Sequence, residues 1–225
     1  MKTRSLHLVV LLTATLISTN SVAAAEPPSF GILGGAHLAN LTIQPEPTDA
    51  GLDSIWRPHV GGLVELGLTP NFSLQSRGVY VPKGVALVDP SGEVDLRAEI
   101  IIDYVAVPVL LKFQADRGRI RPYAVVGPEL GFEVRTRASV TASSSVPEEI
   151  VNIVEDELTH LVDNNSKKTD VALDIGGGVE IPSGRMSILI EGIYSLGLRN
   201  IAIPAEGEEG SAKTRTLMFS LGIRF

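Results

Sequence analysis

An all-β fold, an eight-stranded antiparallel up-and-down transmembrane β-barrel, is what the sequence predicts, on three observations. Apolar residues recur with a period of two through most of the chain after residue 26. The alternating runs reach about 10 residues, long enough to span a bilayer at a tilt, where strands of soluble sheets average nearer 5 or 6. The connections between them alternate between short turns and long loops.

The N-terminal segment stands apart from this pattern. Lys2 and Arg4, an apolar run from Leu6 to Ile17 and then Ala23-Ala24-Ala25 follow the order of a secretory signal peptide. Residues 1–25 are therefore read as a signal peptide and residues 26–225 as one barrel domain. The chain has 225 residues, no Cys and a formal net charge of −7; removing Lys2 and Arg4 leaves 17 basic against 26 acidic side chains, a charge of −9. That balance argues against a nucleic-acid partner, whose footprint is basic. Without cysteine there is no disulfide framework, thiol nucleophile or Cys-ligated zinc. No run of about 18 apolar residues follows the signal, so a transmembrane helix is ruled out.

The strands follow in order. Phe30 to Ile43 and Phe72 to Val81 alternate loosely, whereas Val60, Gly62, Val64, Leu66 and Leu68 form a clean apolar face. Similar faces are Val105 to Phe113, Ala124 to Val134, Val171 to Ile181, Ile188 to Leu198 and Leu217 to Phe225, each taken at every second residue. Turn chemistry occupies Thr69-Pro70-Asn71, the Ala115 to Ile120 segment and Pro182-Ser183-Gly184-Arg185. The longer connections are Gln44 to Ile55, Pro82 to Ala98, Ser139 to Thr169 and Arg199 to Lys213. The third long loop changes period: from Pro147 to Val162, residues Ile150, Val151, Val154, Leu158, Leu161 and Val162 fall on one side of a short helix, with Glu148 and Glu149 in its first turn. Such a helix would shield loop backbone over the barrel mouth or contact a partner.

The two faces of the strands differ in kind. One is almost free of charge; the other carries Glu65, Arg77, Lys112, Glu129, Glu133, Arg135, Asp170, Asp174, Glu180 and Glu191. In a transmembrane barrel the charged face lines the lumen and the apolar face meets lipid. An eight-stranded interior is just wide enough for side chains to fill, so these residues are expected to form a packed polar network. A Glu65–Arg77 pair across the short turn and a basic role for Lys112 beside the carboxylates are part of that expectation. Trp56 and Tyr80 fall near the loop-side strand ends, where an aromatic girdle belongs.

Catalytic, metal and cofactor chemistry find little support. Of the histidines after the signal, His37, His59 and His160, only His59 has a position from which to pair with a Ser, and no nucleophile motif surrounds any candidate. No His pair has ligand spacing. Gly176-Gly177-Gly178 lacks the Lys-Ser/Thr of a phosphate loop and is explained by strand curvature. No cofactor and no catalytic or metal residue is assigned.

Several stretches together resemble the PorT-like outer-membrane β-barrel family of Bacteroidetes-type, Gram-negative bacteria, often labelled porin family proteins. They are Gly31-Ile32-Leu33-Gly34-Gly35 with Leu38, Asn40 and Leu41; Asn71 to Gln75; Tyr104 with Pro108 and Leu110-Leu111-Lys112; Arg121-Pro122-Tyr123 with Gly127-Pro128 and Leu130-Gly131; Gly176 to Glu180; and Glu191 with Tyr194 to Leu198. One departure is Ala106, where the family commonly has an inward Glu. The C-terminal alternation ending in Leu221, Ile223 and Phe225 looks like the signal read by the barrel-assembly machinery, with Ser220 in place of the usual Gly. The resemblance implies a location in the bacterial outer membrane, with lipid and that machinery as partners.

At this level the expected function is a non-enzymatic structural or surface-interaction role, in which long loops reach a surface protein or ligand. A narrow passive pore or a transport- or secretion-associated barrel is the alternative. A secreted lipocalin-like binder is a third, weakened because its cavity should be apolar.

Overall fold

Alternation commits each strand to two faces, and a sheet with one uniformly apolar outer face can close only on itself or on lipid. In the computed structural model, which describes residues 27–44, 51–88, 96–115, 118–142, 148–165, 167–202 and 210–225, it closes on itself. The strands are β1 (Ser29–Gln44), β2 (Gly51–Asp53), β3 (Ile55–Gly67), β4 (Phe72–Val88), β5 (Leu96–Gln114), β6 (Arg121–Ala142), β7 (Thr169–Ser183), β8 (Met186–Gly197) and β9 (Ser211–Arg224), with one helix, α1 (Glu148–Asn165). The wall order is β1-β3-β4-β5-β6-β7-β8-β9, every neighbour antiparallel, and β9 returns to β1 from Gly31 opposite Arg224 to Gln44 opposite Ser211. The proposed signal segment lies outside the described residues.

Eight strands make the wall; β2 is a ninth, short strand that covers the edge of β4 at Ala86 to Val88. The outward faces are exposed and apolar, as at Ile32, Val109, Leu130, Ile175, Ile190 and Leu221. The inward faces are buried and polar, as at Glu65, Gln75, Lys112, Glu129, Asp174 and Glu180. The β7–β8 turn is a two-residue hairpin, Gly184-Arg185 between Ser183 and Met186, and Gly184 takes φ +66°, a region glycine enters without steric cost.

Three features at the loop end depart from the sequence expectation. First, the loop expected from Pro82 to Ala98 is largely strand: β4 continues to Val88 and β5 starts at Leu96. Its second edge is not β3. The β3–β4 ladder stops at Val60 opposite Tyr80, and continuing it would set Pro58 against Pro82, two residues with no N–H to donate. β3 instead stays with β1 up to Ala39 opposite Ile55, while the β4–β5 ribbon leans across the mouth.

Both faces of that ribbon are buried. Val81, Val85, Ile102 and Tyr104 join the main core with Leu41 and Ile201, whereas Ala86 and Ile101 pack against Ala39 and Ile55 of the β1–β3 wall. Arg57 of β3 meets Glu99 of β5 across the same gap, and the His37 imidazole lies 2.5 Å from the Pro82 carbonyl oxygen.

The second departure is a bulge in β6. Tyr104 pairs with Glu133 but Asp103 pairs with Arg135, which leaves Val134 as an extra residue. The third concerns the helix, which runs from Glu148 to Asn165 rather than from Pro147 to Val162 and lies along the edge of β6 that extends beyond β7. The Ala138 amide donates to Thr159 Oγ1 at 2.9 Å and the Val140 amide to Glu155 Oε1 at 2.6 Å, so α1 satisfies an edge that would otherwise offer free backbone donors.

Candidate functional site: the lumen network

Inward charges on seven strands meet inside the barrel and form two clusters. Buried charges are tolerated only when paired and hydrogen-bonded, and the first cluster answers nearly every donor and acceptor. Arg77 of β4 forks onto Glu191 of β8, Nη1 to Oε1 and Nη2 to Oε2, both at 2.6 Å. Its Nε donates to Gln75 Oε1 at 2.7 Å, and the Tyr123 hydroxyl donates to Glu191 Oε2 at 3.1 Å. Gln75 Nε2 in turn donates to Glu65 Oε2 at 3.0 Å, and Ser73 Oγ to Glu65 Oε1 at 2.9 Å.

Lys112, fully buried on β5, bridges Glu65 of β3 and Glu180 of β7, each at 3.1 Å, with its ammonium 4.5 Å from the centroid of the Tyr123 ring. Glu180 also accepts from Gln114 Nε2 and from the Arg224 guanidinium. The chain from Glu180 through Lys112, Glu65, Gln75 and Arg77 to Glu191 leaves β7, crosses the lumen to β3 and β4, and returns to β8 beside its start. A bidentate Arg–carboxylate contact of this kind is geometrically demanding as well as strong.

The second cluster lies toward the loop end. Lys83 donates to Glu129 Oε1 at 2.8 Å and to Asp170 Oδ2 at 3.2 Å, and Thr214 Oγ1 donates to the same Asp170 oxygen at 2.8 Å. Lys83 comes from the leaning part of β4, so the cluster ties the β4–β5 ribbon to β6, β7 and β9. Between the clusters lies a cavity of about 10 Å³, with Arg77, Glu129, Asp174 and His59 among its lining residues. That is room for about one water molecule. A wider recess of about 120 Å³ opens at the turn end beside Glu65, Gln114, Arg121 and Arg224.

Of the residues singled out from the sequence, Glu65, Arg77, Lys112, Glu180 and Glu191 come together in the first cluster, and Glu129 joins the second. Asp174 is fully buried opposite Ser195 and lines the small cavity. Glu133 sits higher, accepting from Lys168 at 2.8 Å and from Thr136 at 3.0 Å. Two expectations are corrected. Glu65 and Arg77 do not pair directly; Gln75 stands between them and each takes its charge partner from another wall. Arg135 does not face the lumen: the extra residue Val134 shifts the phase of β6, so that Arg135 is opposite Asp103 and exposed on the outer surface.

Sequence reasoning missed Lys83, Gln75, Ser73 and Thr214. Pro82 reads as a strand end and so places Lys83 in a loop, although Val79, Val81, Lys83 and Val85 keep the inward phase of Gln75 and Arg77. His59 Nε2 lies 2.8 Å from Ser220 Oγ inside the barrel, and the two imidazoles of His37 and His59 are 5.5 Å apart. The His59 Nδ1 has no hydrogen-bond partner among the described residues, so the pair lacks the orienting acid a catalytic triad needs. Leu221, Ile223 and Phe225 point outward from β9, and Phe225 exchanges backbone hydrogen bonds with Phe30 at the closing seam.

The match to a known family agrees with this architecture. The profile of the outer membrane protein beta-barrel domain family matches residues 26–202. Solved structures similar to the chain include the attachment invasion locus protein Ail of Yersinia pestis (11% identity, covering 89% of this chain and 100% of that one, TM-score 0.41). Neisserial surface protein A is similar at 14% identity (90% and 98% covered, TM-score 0.44), and OprG of Pseudomonas aeruginosa at 11% (88% and 95%, TM-score 0.44). No curated protein matches the chain. With a closed eight-stranded wall, an apolar exterior, an ionic interior and a family match over most of its length, the chain belongs to the outer membrane protein beta-barrel domain family and is a protein of the bacterial outer membrane.

Proposed function

We propose that the protein is a non-conducting, non-enzymatic scaffold that holds its loop end at the cell surface for interaction with a surface protein or ligand, with both chain termini on the periplasmic side. The observation that carries this reading is the filled lumen. Arg77–Glu191 and Lys112 with Glu65 and Glu180 lock opposite walls together, and the β4–β5 ribbon lies across the mouth above them. A passive pore would need a continuous aqueous path where the void is about 10 Å³. A lipocalin-like binder would need an apolar cavity.

Within the family the PorT-like branch is the reading favoured by the spaced motifs around Tyr104, Pro108 and Lys112 and around Glu191 and Tyr194. Delivery through the barrel-assembly machinery rests on the outward Leu221, Ile223 and Phe225 of the last strand. The decisive test is conductance in planar bilayers. The expected result is no steady current at moderate voltage from protein whose gel band is heat-modifiable; a stable open channel would overturn the scaffold in favour of a pore.

A further inference from the structure

On three adjacent strands the outward face changes character at nearly the same height. β4 runs Phe72, Leu74, Ser76, Gly78 and then Tyr80; β5, followed from its turn end, runs Phe113, Leu111, Val109, Val107, Val105 and then Asp103; β6 runs from Pro122 through Val126 and Leu130 to Val134 and then Arg135. Apolar residues on this outer surface are exposed, so this line is the upper limit of the lipid-facing band. Arg135 is the first charge met on the outward face of β6, and the bulge at Val134 is what brings it there. Without the extra residue, the alternation that sends Glu129 and Glu133 inward would send Arg135 inward too.

The neighbours of Arg135 are arranged around it. Arg137 lies two residues further along the same outward face, about 7 Å away by strand geometry, and its Nη2 donates to Asp103 Oδ1 at 3.1 Å. The Tyr80 hydroxyl lies near enough to Asp103 and to both arginines to feel their charges. Asp103 is buried on this surface while Arg135 is exposed. Two guanidinium groups therefore stand beside one carboxylate, with a net positive charge at the line where acyl chains give way to headgroups. Guanidinium N–H forks match the paired oxygens of a phosphate or a carboxylate, and phosphate is the anionic group that lipid headgroups carry next to their acyl chains.

We propose that Arg135 and Arg137, with Val134 below them and Tyr80 beside them, form a binding site for the phosphate of an outer-leaflet lipid headgroup. Val134, exposed at the bulge, contacts the acyl region while Arg135 meets the phosphate directly above it. Arg137, held by Asp103, supplies the second fork. The site rests on the proposed orientation only in placing the phosphate in the outer leaflet.

The test is lipid retention by the full-length, delipidated protein in detergent, read by native mass spectrometry. Its probes are a bis-phosphorylated glucosamine lipid, the same lipid dephosphorylated, phosphatidylglycerol and inorganic phosphate. The expected result is at least a tenfold preference for the phosphorylated glycolipid over its dephosphorylated form, lost in Arg135→Gln and kept in Arg97→Gln. Arg135→Gln leaves the Arg137–Asp103 pair in place and should keep a heat-modifiable band; if Arg137→Gln does not fold, Arg135→Gln and deletion of Val134 carry the test. Equal retention of the two glycolipids, or no change in Arg135→Gln, overturns the site. Full competition by inorganic phosphate would replace the lipid with a soluble anion. Preference for phosphatidylglycerol would overturn the outer-leaflet assignment, and protease access to α1 on intact cells separates that result from failure of the scaffold reading.

Discussion

The two ends of the lumen are closed by different chemistry. In the middle and at the turn end, regular strands send charged and amide side chains inward among buried apolar ones such as Leu110, Leu189 and Ile193, and the Arg77–Glu191 pair and the Lys112 bridge from Glu65 to Glu180 fasten opposite walls. At the loop end the wall itself opens between β3 and β4, and a ribbon with apolar residues on both faces fills the gap. The first kind of closure is stiff because a lost partner leaves a charge in a dry interior. The second depends on apolar packing beyond the Lys83 pairs with Glu129 and Asp170, so only the part of the ribbon above Lys83 can move without breaking a buried ion pair.

The largest expected effect tests the stiff half. Arg77→Met leaves Glu191 buried without its cation and should cost about 3–5 kcal/mol, read as a lowered urea midpoint for barrels refolded in vesicles; a change under about 1 kcal/mol would mean the interior is wetter than the closed network implies. Next, Ile101→Ala removes the contact that seats the ribbon on Ala39 and Ile55. It should cost about 2 kcal/mol or more, with faster amide exchange confined to residues 81–88 and 96–103 while the protection of β7 and β8 stays unchanged. Loss of protection throughout would make the two halves one cooperative unit.

Smaller effects sharpen the contrast further. Replacing Thr159 and Glu155 with Ala should free the Ala138 and Val140 amides and cost about 1 kcal/mol for each bond, seen as local exchange at the β6 edge; unchanged exchange there would remove α1 as its cover. Arg57→Ala, whose ion pair with Glu99 is partly open to solvent on both sides, should change stability by less than about 1 kcal/mol. A cost comparable to Arg77→Met would mean that the ribbon too is held mainly by charge.

The same division explains what was legible in the sequence. Where alternation runs unbroken, as from Ile188 to Leu198 or Val171 to Ile175, the facing of each residue follows from phase alone, and the inward position of Glu191 or Asp174 could be read directly. Pairing could not: Glu65 and Arg77 are sequence neighbours across a turn, but their charge partners come from walls whose distance depends on closure of the whole sheet. Phase is also blind to insertions. A single extra residue at Val134 inverted the reading of Arg135, and nothing in the local composition marks a bulge made without glycine. Lys83 was lost for the opposite reason, because Pro82 ends the β3 ladder while the β5 ladder carries on past it.

The seam between β1 and β9 has a consequence for how the molecule can be made. Phe30 and Phe225 exchange two backbone hydrogen bonds, so the first and last strands are joined by the rungs most distant in sequence. Until β9 has been synthesised and delivered, the remaining strands form an open sheet whose two outer edges offer unpaired amides and carbonyls to any neighbouring chain. Contacts of such long range form late and slowly. Without β9 the β1 edge lacks the partner it has in the closed wall, so the interval before the ends meet is when the protein most needs protection from its own copies.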